Sequence, residues 1–163
     1  MKATKAETLK DLSLLNKKLK FKIPTIFFFN YKQWLNDRDT VIKKINKKFS
    51  NKLIAVRSSA RDEDQKKQSN AGKFRSIMNV QSNNKKKLVS SINKVFKSYS
   101  AYRNIYSNDQ ILIQTMINKI SMSGVIFTQN LENRSPYYVI NYDDTSGSTS
   151  SVTSGIGEAS NRI

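Results

Sequence analysis

Leucines recur at positions 9, 12, 15 and 19, with Lys10, Asp11, Lys17 and Lys18 between them. That spacing predicts an amphipathic helix over residues 5–19. Pro24 blocks its continuation, and the run TIFFF (25–29) is short and aromatic, as a buried strand is. Asn30 suits the cap of a following helix. Trp34, Leu35, Val41, Ile42, Ile45 and Phe49 carry that helix on one face to about Lys48. KLIAV (52–56) predicts a strand, and residues 58–72 a polar loop. KFRSIMNV then alternates, with Phe74, Ser76, Met78 and Val80 on one face of a half-exposed strand. Leu88, Val89, Ile92, Val95, Phe96, Tyr99 and Tyr102 predict a helix that starts at Asn83 or Asn84. QILIQTMI (110–117), SGVIFTQ (123–129) and PYYVINY (136–142) predict three strands, and 143–163 a Gly- and Ser-rich loop. The order α-β-α-β, loop, β-α-β-β-β predicts an α+β domain with a mainly antiparallel C-terminal sheet.

Composition narrows the chemistry. The 163 residues contain no cysteine and no histidine, which excludes disulfides, thiolate nucleophiles, Cys/His zinc sites and any histidine base or phosphohistidine within them. No apolar run approaches the roughly 18 residues needed to cross a bilayer, and the N-terminus has no apolar core of a secretory signal. The expectation is a cytoplasmic protein with no membrane partner. The net charge of +17 raises nucleic acid as a partner. Residues 1–56 carry 14 basic and 4 acidic side chains, residues 57–120 carry 13 and 4, and residues 121–163 carry 2 and 4. Of the 29 basic residues 22 are lysine, whose ammonium lacks the fork with which arginine reads phosphates and bases. A solvated, compositionally biased surface is therefore the preferred account. Nucleic-acid binding by the basic helices with Tyr99, Tyr102 and Tyr106 stands as the alternative.

The candidate chemistry gathers at IAVRSSA. Arg57 follows four apolar residues, which predicts an arginine at the end of a buried strand with its guanidinium at the sheet rim, where ligand sites gather. Its fork suits a phosphate. Ser58 and Ser59 are small enough to admit a ligand, and Ser69-Asn70-Ala71-Gly72 predicts a turn whose N–H groups face an anion. The competing account pairs Arg57 with Asp62, Glu63 or Asp64 in a solvated loop, and the segment matches no Walker pattern.

In its motifs and their order, the chain resembles the N-terminal ATP-binding domain of the pyruvate phosphate dikinase and phosphoenolpyruvate synthase family, an ATP-grasp fold. IAVRSSARDED…SNAGKFRSIMNV is similar to the family's V-R-S-S-A, E-D, S-x-A-G and alternating strand. TKAETLKDL resembles its G-K-G-A-x-L-x-x-L segment, KIPTIFFF its V-P-x-G-F segment, and ILIQTMI the strand before its hinge. SGVIFTQNLENRSPYYVIN and SGIGEAS resemble its S-G-V-x-F-T-x-D-P and G-L-G-E-x-V segments. The resemblance covers nearly the whole chain. It implies an ATP-dependent phosphotransferase in which Lys5 and Arg57 contact the ATP phosphates. Ser58 would lie beside them, and the Ser69–Gly72 turn, with Ala71, would form a lid. Gln114, Met116 and Ile117 would line the adenine pocket, with Glu158 as a loop acid near the nucleotide. It also implies an N-terminal part of the fold, with a mixed to antiparallel sheet and flanking helices. The Mg2+ ligands and a phosphohistidine domain would lie beyond residue 163, and the phosphoryl acceptor is unidentified. Departures are Thr4 and Ala6-Glu7 for glycines around Lys5, and Asn130-Leu131 for Asp-Pro. The long polar loop 141–155 resembles variants associated with surface polysaccharides.

Overall fold

The computed structural model describes residues 3–15, 20–60, 64–65, 68–69, 74–148, 152 and 161–162. The chain divides into two compact units, residues 1–116 and 117–163.

The first unit opens with α1 (Lys5–Leu15). Thr4 and Glu7 form a reciprocal cap at its start. Glu7 N donates to Thr4 Oγ1 at 3.2 Å and Thr4 N donates to Glu7 Oε2 at 2.8 Å, which satisfies two helix-end donors at once. The leucine periodicity does not make this helix a core element. Its buried residue is Ala6, Leu9 and Leu12 are half-buried, and Leu15 is 55% exposed. Residues 16–19 of the predicted helix lie outside the described residues.

β1 (Ile26–Asn30) leads into α2 (Tyr31–Asn36) through Asn30, whose side chain accepts from Gln33 N while Gln33 Oε1 accepts from Asn30 N. The single helix expected over 30–48 is two. Asp37 takes a non-helical conformation and accepts from Thr40 N at 2.9 Å, so it ends α2 and caps α3 (Arg38–Phe49). The carboxylate offers the backbone a local alternative to continuing the helix. The break leaves Leu35 outside the core, whereas Trp34, Val41, Ile42, Ile45 and Phe49 are buried.

β2 (Leu53–Ser59) runs three residues beyond its predicted end and takes in Arg57, Ser58 and Ser59. The polar segment that follows is not all loop: β3 (Asp64–Gln65) pairs antiparallel with β4 (Gln68–Ser69). β5 (Ser76–Gln81) pairs with β2 through a register shift, Ile54 opposite Val80 and Val56 opposite Ile77. Asn79 in this bulge has φ 55°, and the extra residue turns Met78 outward to 43% exposure and Ile77 toward the core. The predicted strict alternation fails there for that reason. α4 (Lys85–Ser100) is capped by Asn84, and β6 (Gln110–Thr115) returns through the sheet centre. Tyr102 lies past the helix end and is exposed, its ring edge-on to Phe74.

The four-stranded sheet has the order β1-β6-β2-β5 with antiparallel pairings throughout. Phe29, Ile54, Val56, Val80, Ile111 and Ile113 from the strands pack with α3 and α4 around Trp34, Phe49, Ile92 and Tyr99. The loop into β6 is held by Arg103, whose guanidinium donates twice to the buried Asp109 carboxylate, both at 2.7 Å, and lies over the Tyr99 and Tyr106 rings.

In the second unit β7 (Ser123–Phe127) pairs with β8 (Val139–Asp143), and β8 with β9 (Asn161–Arg162). The tail therefore contributes a short strand where a loop was expected. Among the described residues no helix is long and apolar enough to cross a membrane.

Candidate functional site

Side chains alternate across a strand, so the central sheet has two unlike faces. Ile54, Val56 and Ser58 of β2 point to the face packed by α3 and α4, with Ile111 and Ile113 of β6. Ala55, Arg57 and Ser59 point to the other face. There the register sets Ala55 opposite Gln114, Arg57 opposite Leu112 and Ser59 opposite Gln110. Ile26 and Phe28 of β1 extend this second face, opposite Gln114 and Leu112. Besides Gln110 at its Ser59 end, this largely apolar face carries two long polar side chains, Arg57 and Gln114.

Those two meet. Arg57 Nη1 donates to Gln114 Oε1 at 3.2 Å. Arg57 Nε is buried and finds no acceptor among the described residues. A buried donor left unsatisfied costs about 1–3 kcal/mol, and such an atom calls for an explanation. Because β2 continues to Ser59, Arg57 stands within the strand, on a sheet face and not at its rim.

α1 is fastened to the same face at the Ser59 end. Ala6 N donates to Ser59 Oγ at 2.9 Å. Thr4 Oγ1 donates to Gln110 Oε1 at 2.7 Å, and Gln110 Nε2 donates to Glu7 Oε1 at 3.0 Å. From the core side, Tyr99 Oη accepts from Ser59 N at 2.9 Å and donates to Gln110 O at 2.8 Å, bridging the ends of β2 and β6. Thr4, Ser59 and Tyr99 are fully or almost fully buried, and a satisfied buried network of this kind rigidifies what it joins. The departure at Thr4 and Ala6-Glu7 therefore has a structural use: the small Ala6 lets the first turn sit on β2, and Thr4 with Glu7 ties it to β6.

This docking sets the first turn of α1, which includes Lys5, at the Ser59 end of the face that carries Arg57. Lys5 adjoins Ala6, about 3.8 Å away between Cα atoms, and Arg57 lies two residues from Ser59 on the same face. Ser58 goes elsewhere, since its side chain is buried and turned to the helix-covered face. Ser69 is a backbone position of β4. Ala71, Gly72 and Glu158 lie outside the described residues. Gln114 is on the site face. Met116 follows β6, and its N–H donates to Leu53 O at 2.9 Å. Ile117 opens the second unit and is exposed. Ser59, Thr4, Glu7 and Gln110 were not singled out, although the T-x-x-E pattern of a capping box is readable in TKAE.

Two other features bear on ligand chemistry. A groove of about 720 Å³ on the outer side of α4 is lined by Lys85, Lys86, Val89, Asn93, Lys94 and Lys97 and lies away from Arg57. Of the three tyrosines considered as stacking platforms, Tyr99 is wholly buried, and its hydroxyl is committed to the bridge just described. Among the described residues no three Asp or Glu side chains gather to hold a metal ion. Glu7, at this end of the sheet, has both carboxylate oxygens hydrogen-bonded.

The family model described as the AMP/ATP-binding domain of pyruvate phosphate dikinase matches residues 35–158. No curated protein matches the chain.

Proposed function

The chain belongs to the pyruvate phosphate dikinase AMP/ATP-binding domain family, and on that premise we propose that Arg57 and Lys5 hold the phosphates of ATP for transfer to an acceptor. The observation that carries this reading is the buried, unpartnered Nε of Arg57 on the sheet face free of the α3–α4 core. A guanidinium has five donors and no acceptor, and a phosphate oxygen is the partner that this geometry lacks. In this reading Lys5, in the first turn of α1, adds a second positive charge and the positive end of a helix dipole. The base would lie toward Met116, just past the end of β6. In this proposal the pair works by charge neutralisation and positioning, which is how phosphoryl transfer is mostly catalysed. The acceptor is not a histidine of these residues, because the sequence has none.

Calorimetric titration of the protein with ATP tests the reading. Arg57→Ala should weaken ATP binding roughly 10- to 100-fold, the range of a lost charge-assisted hydrogen bond. Arg57→Lys should fall between, since it keeps the charge and loses the fork. The thermal midpoint should change little, because the substitution removes an unsatisfied buried donor together with the hydrogen bond to Gln114. Unchanged ATP affinity in Arg57→Ala would overturn the proposal.

A further inference from the structure

By family resemblance Gln114 belongs to the adenine pocket, and its hydrogen bond argues otherwise. Arginine only donates, so the amide atom facing Arg57 must be the oxygen. The NH2 group then points away from Arg57, and no described residue accepts from it. A glutamine reads adenine by using its oxygen and nitrogen together, one accepting and one donating. Here the oxygen already accepts from Arg57, which fixes the amide beside the guanidinium. Arg57 Nε and Gln114 Nε2 are two donors without a described acceptor, bordered by Leu112, Ala55 and Phe28. Adjacent donors of this kind are complementary to an anion.

We infer that Gln114 is a specificity-determining residue for the phosphate chain, acting with Arg57 and not on the base. The inference rests on the proposal that Arg57 holds ATP phosphate. Gln114 does two things: its oxygen fixes the Arg57 fork against the sheet, and its amide nitrogen donates to the same polyphosphate. No proton moves and no bond forms in this role. It is an orienting and binding contribution.

Competition titration with ATP, GTP and inorganic tripolyphosphate tests it on the wild-type protein, Arg57→Ala, Gln114→Leu and Gln114→Glu, each checked by thermal melting for an intact fold. Gln114→Leu should weaken ATP and tripolyphosphate by the same factor, roughly three- to tenfold, and leave the ATP-to-GTP preference unchanged. Gln114→Glu keeps an oxygen for Arg57 but turns a negative charge toward the phosphates, so it should weaken both ligands further than the leucine does. Loss of ATP-to-GTP preference with tripolyphosphate binding intact would return Gln114 to the base and overturn the inference. So would affinities equal to wild type in both variants. Failure of the underlying reading has a different signature: a wild type that binds neither ATP nor tripolyphosphate, or an Arg57→Ala protein that binds both as wild type does, sinks both proposals. A silent Gln114 beside a damaging Arg57→Ala sinks this one alone.

Discussion

The two units use apolar residues in opposite ways. Every buried apolar side chain among the described residues lies between Ala6 and Ile113. From Ile117 onward the described buried residue is an acid, Asp143, which accepts from the N–H groups and hydroxyls of Thr145 and Ser146. Yet β7 and β8 are no poorer in apolar residues, with Val125, Ile126, Phe127, Val139 and Ile140. The difference is layering. A sheet buries its apolar face only against a second layer, and α3 and α4 supply one to the first unit. In the second unit the elements given among the described residues are β7, β8 and β9, with Val152 helical. Burial, and with it stability, follows the packing partner and not the composition of the strand. The candidate site uses the same logic in reverse. Arg57 and Gln114 occupy the face of the first sheet that the α3–α4 layer leaves uncovered.

The largest expected effect tests this contrast directly. Phe49 is wholly buried between α3 and the sheet. Phe49→Ala should cost about 3–5 kcal/mol in urea unfolding, as large-to-small changes of an aromatic core residue do. Ile126, 63% exposed in β7, should cost no more than about 0.5 kcal/mol when replaced by alanine. Comparable losses at the two positions would mean that exposure in β7 does not mark a smaller contribution to stability.

The same layering explains which parts of the structure the sequence makes legible. Segments buried on a face by a helix or strand partner announced themselves by periodicity: Leu88 to Tyr99 in α4, Val41 to Phe49 in α3, and the apolar start of β2. Periodicity misled where a polar contact overrode it. The leucines of α1 keep helical spacing, but the helix is anchored by Thr4, Ala6 and Glu7, so Leu9 and Leu12 are only half-buried and Leu15 is exposed. Asp37 splits a continuous apolar face because its carboxylate captures Thr40 N. The bulge at Met78–Asn79 shifts the face of β5, and no residue type in the sequence requires it. Of the site, Arg57 was readable as a residue type. Its partner Gln114 depends on the β2–β6 register, which joins residues 57 apart in the chain.

A smaller effect should stay inside the second unit. A Cβ on Gly124 would lie 2.7 Å from the main-chain oxygen of Asn141 and 3.1 Å from Tyr142 Cβ. The obstacle is partly backbone, so β7 and β8 must move apart. Gly124→Ala should cost about 1–3 kcal/mol locally, the range for overpacking. Amide exchange should accelerate over 125–127 and 139–141, with α4 protected as before. Faster exchange in α4 as well would show that the two units unfold as one.

The smallest expected effect separates the cap of α3 from its core face. Hydrogen bonds from Thr40 hold the Asp37 carboxyl below its ordinary value of 3.8, with Lys43 and Lys44 adding to the shift. The folded state therefore binds a proton less readily at Asp37 than the unfolded chain does. The stabilisation is present in full above the ordinary value, and it is lost as pH falls through the lowered one. Asp39 is lowered in the same sense by its hydrogen bond and ion pair with Lys85. Both acids are solvent-exposed, so salt should screen the charge part of each effect. Asp37→Asn keeps an oxygen for Thr40 N and cannot titrate. Its unfolding midpoint should lie below that of the wild type near neutral pH, and the gap should close as pH is lowered from about 5 toward about 2. Asp39→Asn should show the same closing gap, and added salt should narrow it. If the gap at Asp37 stays constant with pH, the cap acts through its hydrogen bond alone. The break between α2 and α3 would then owe nothing to the carboxylate charge.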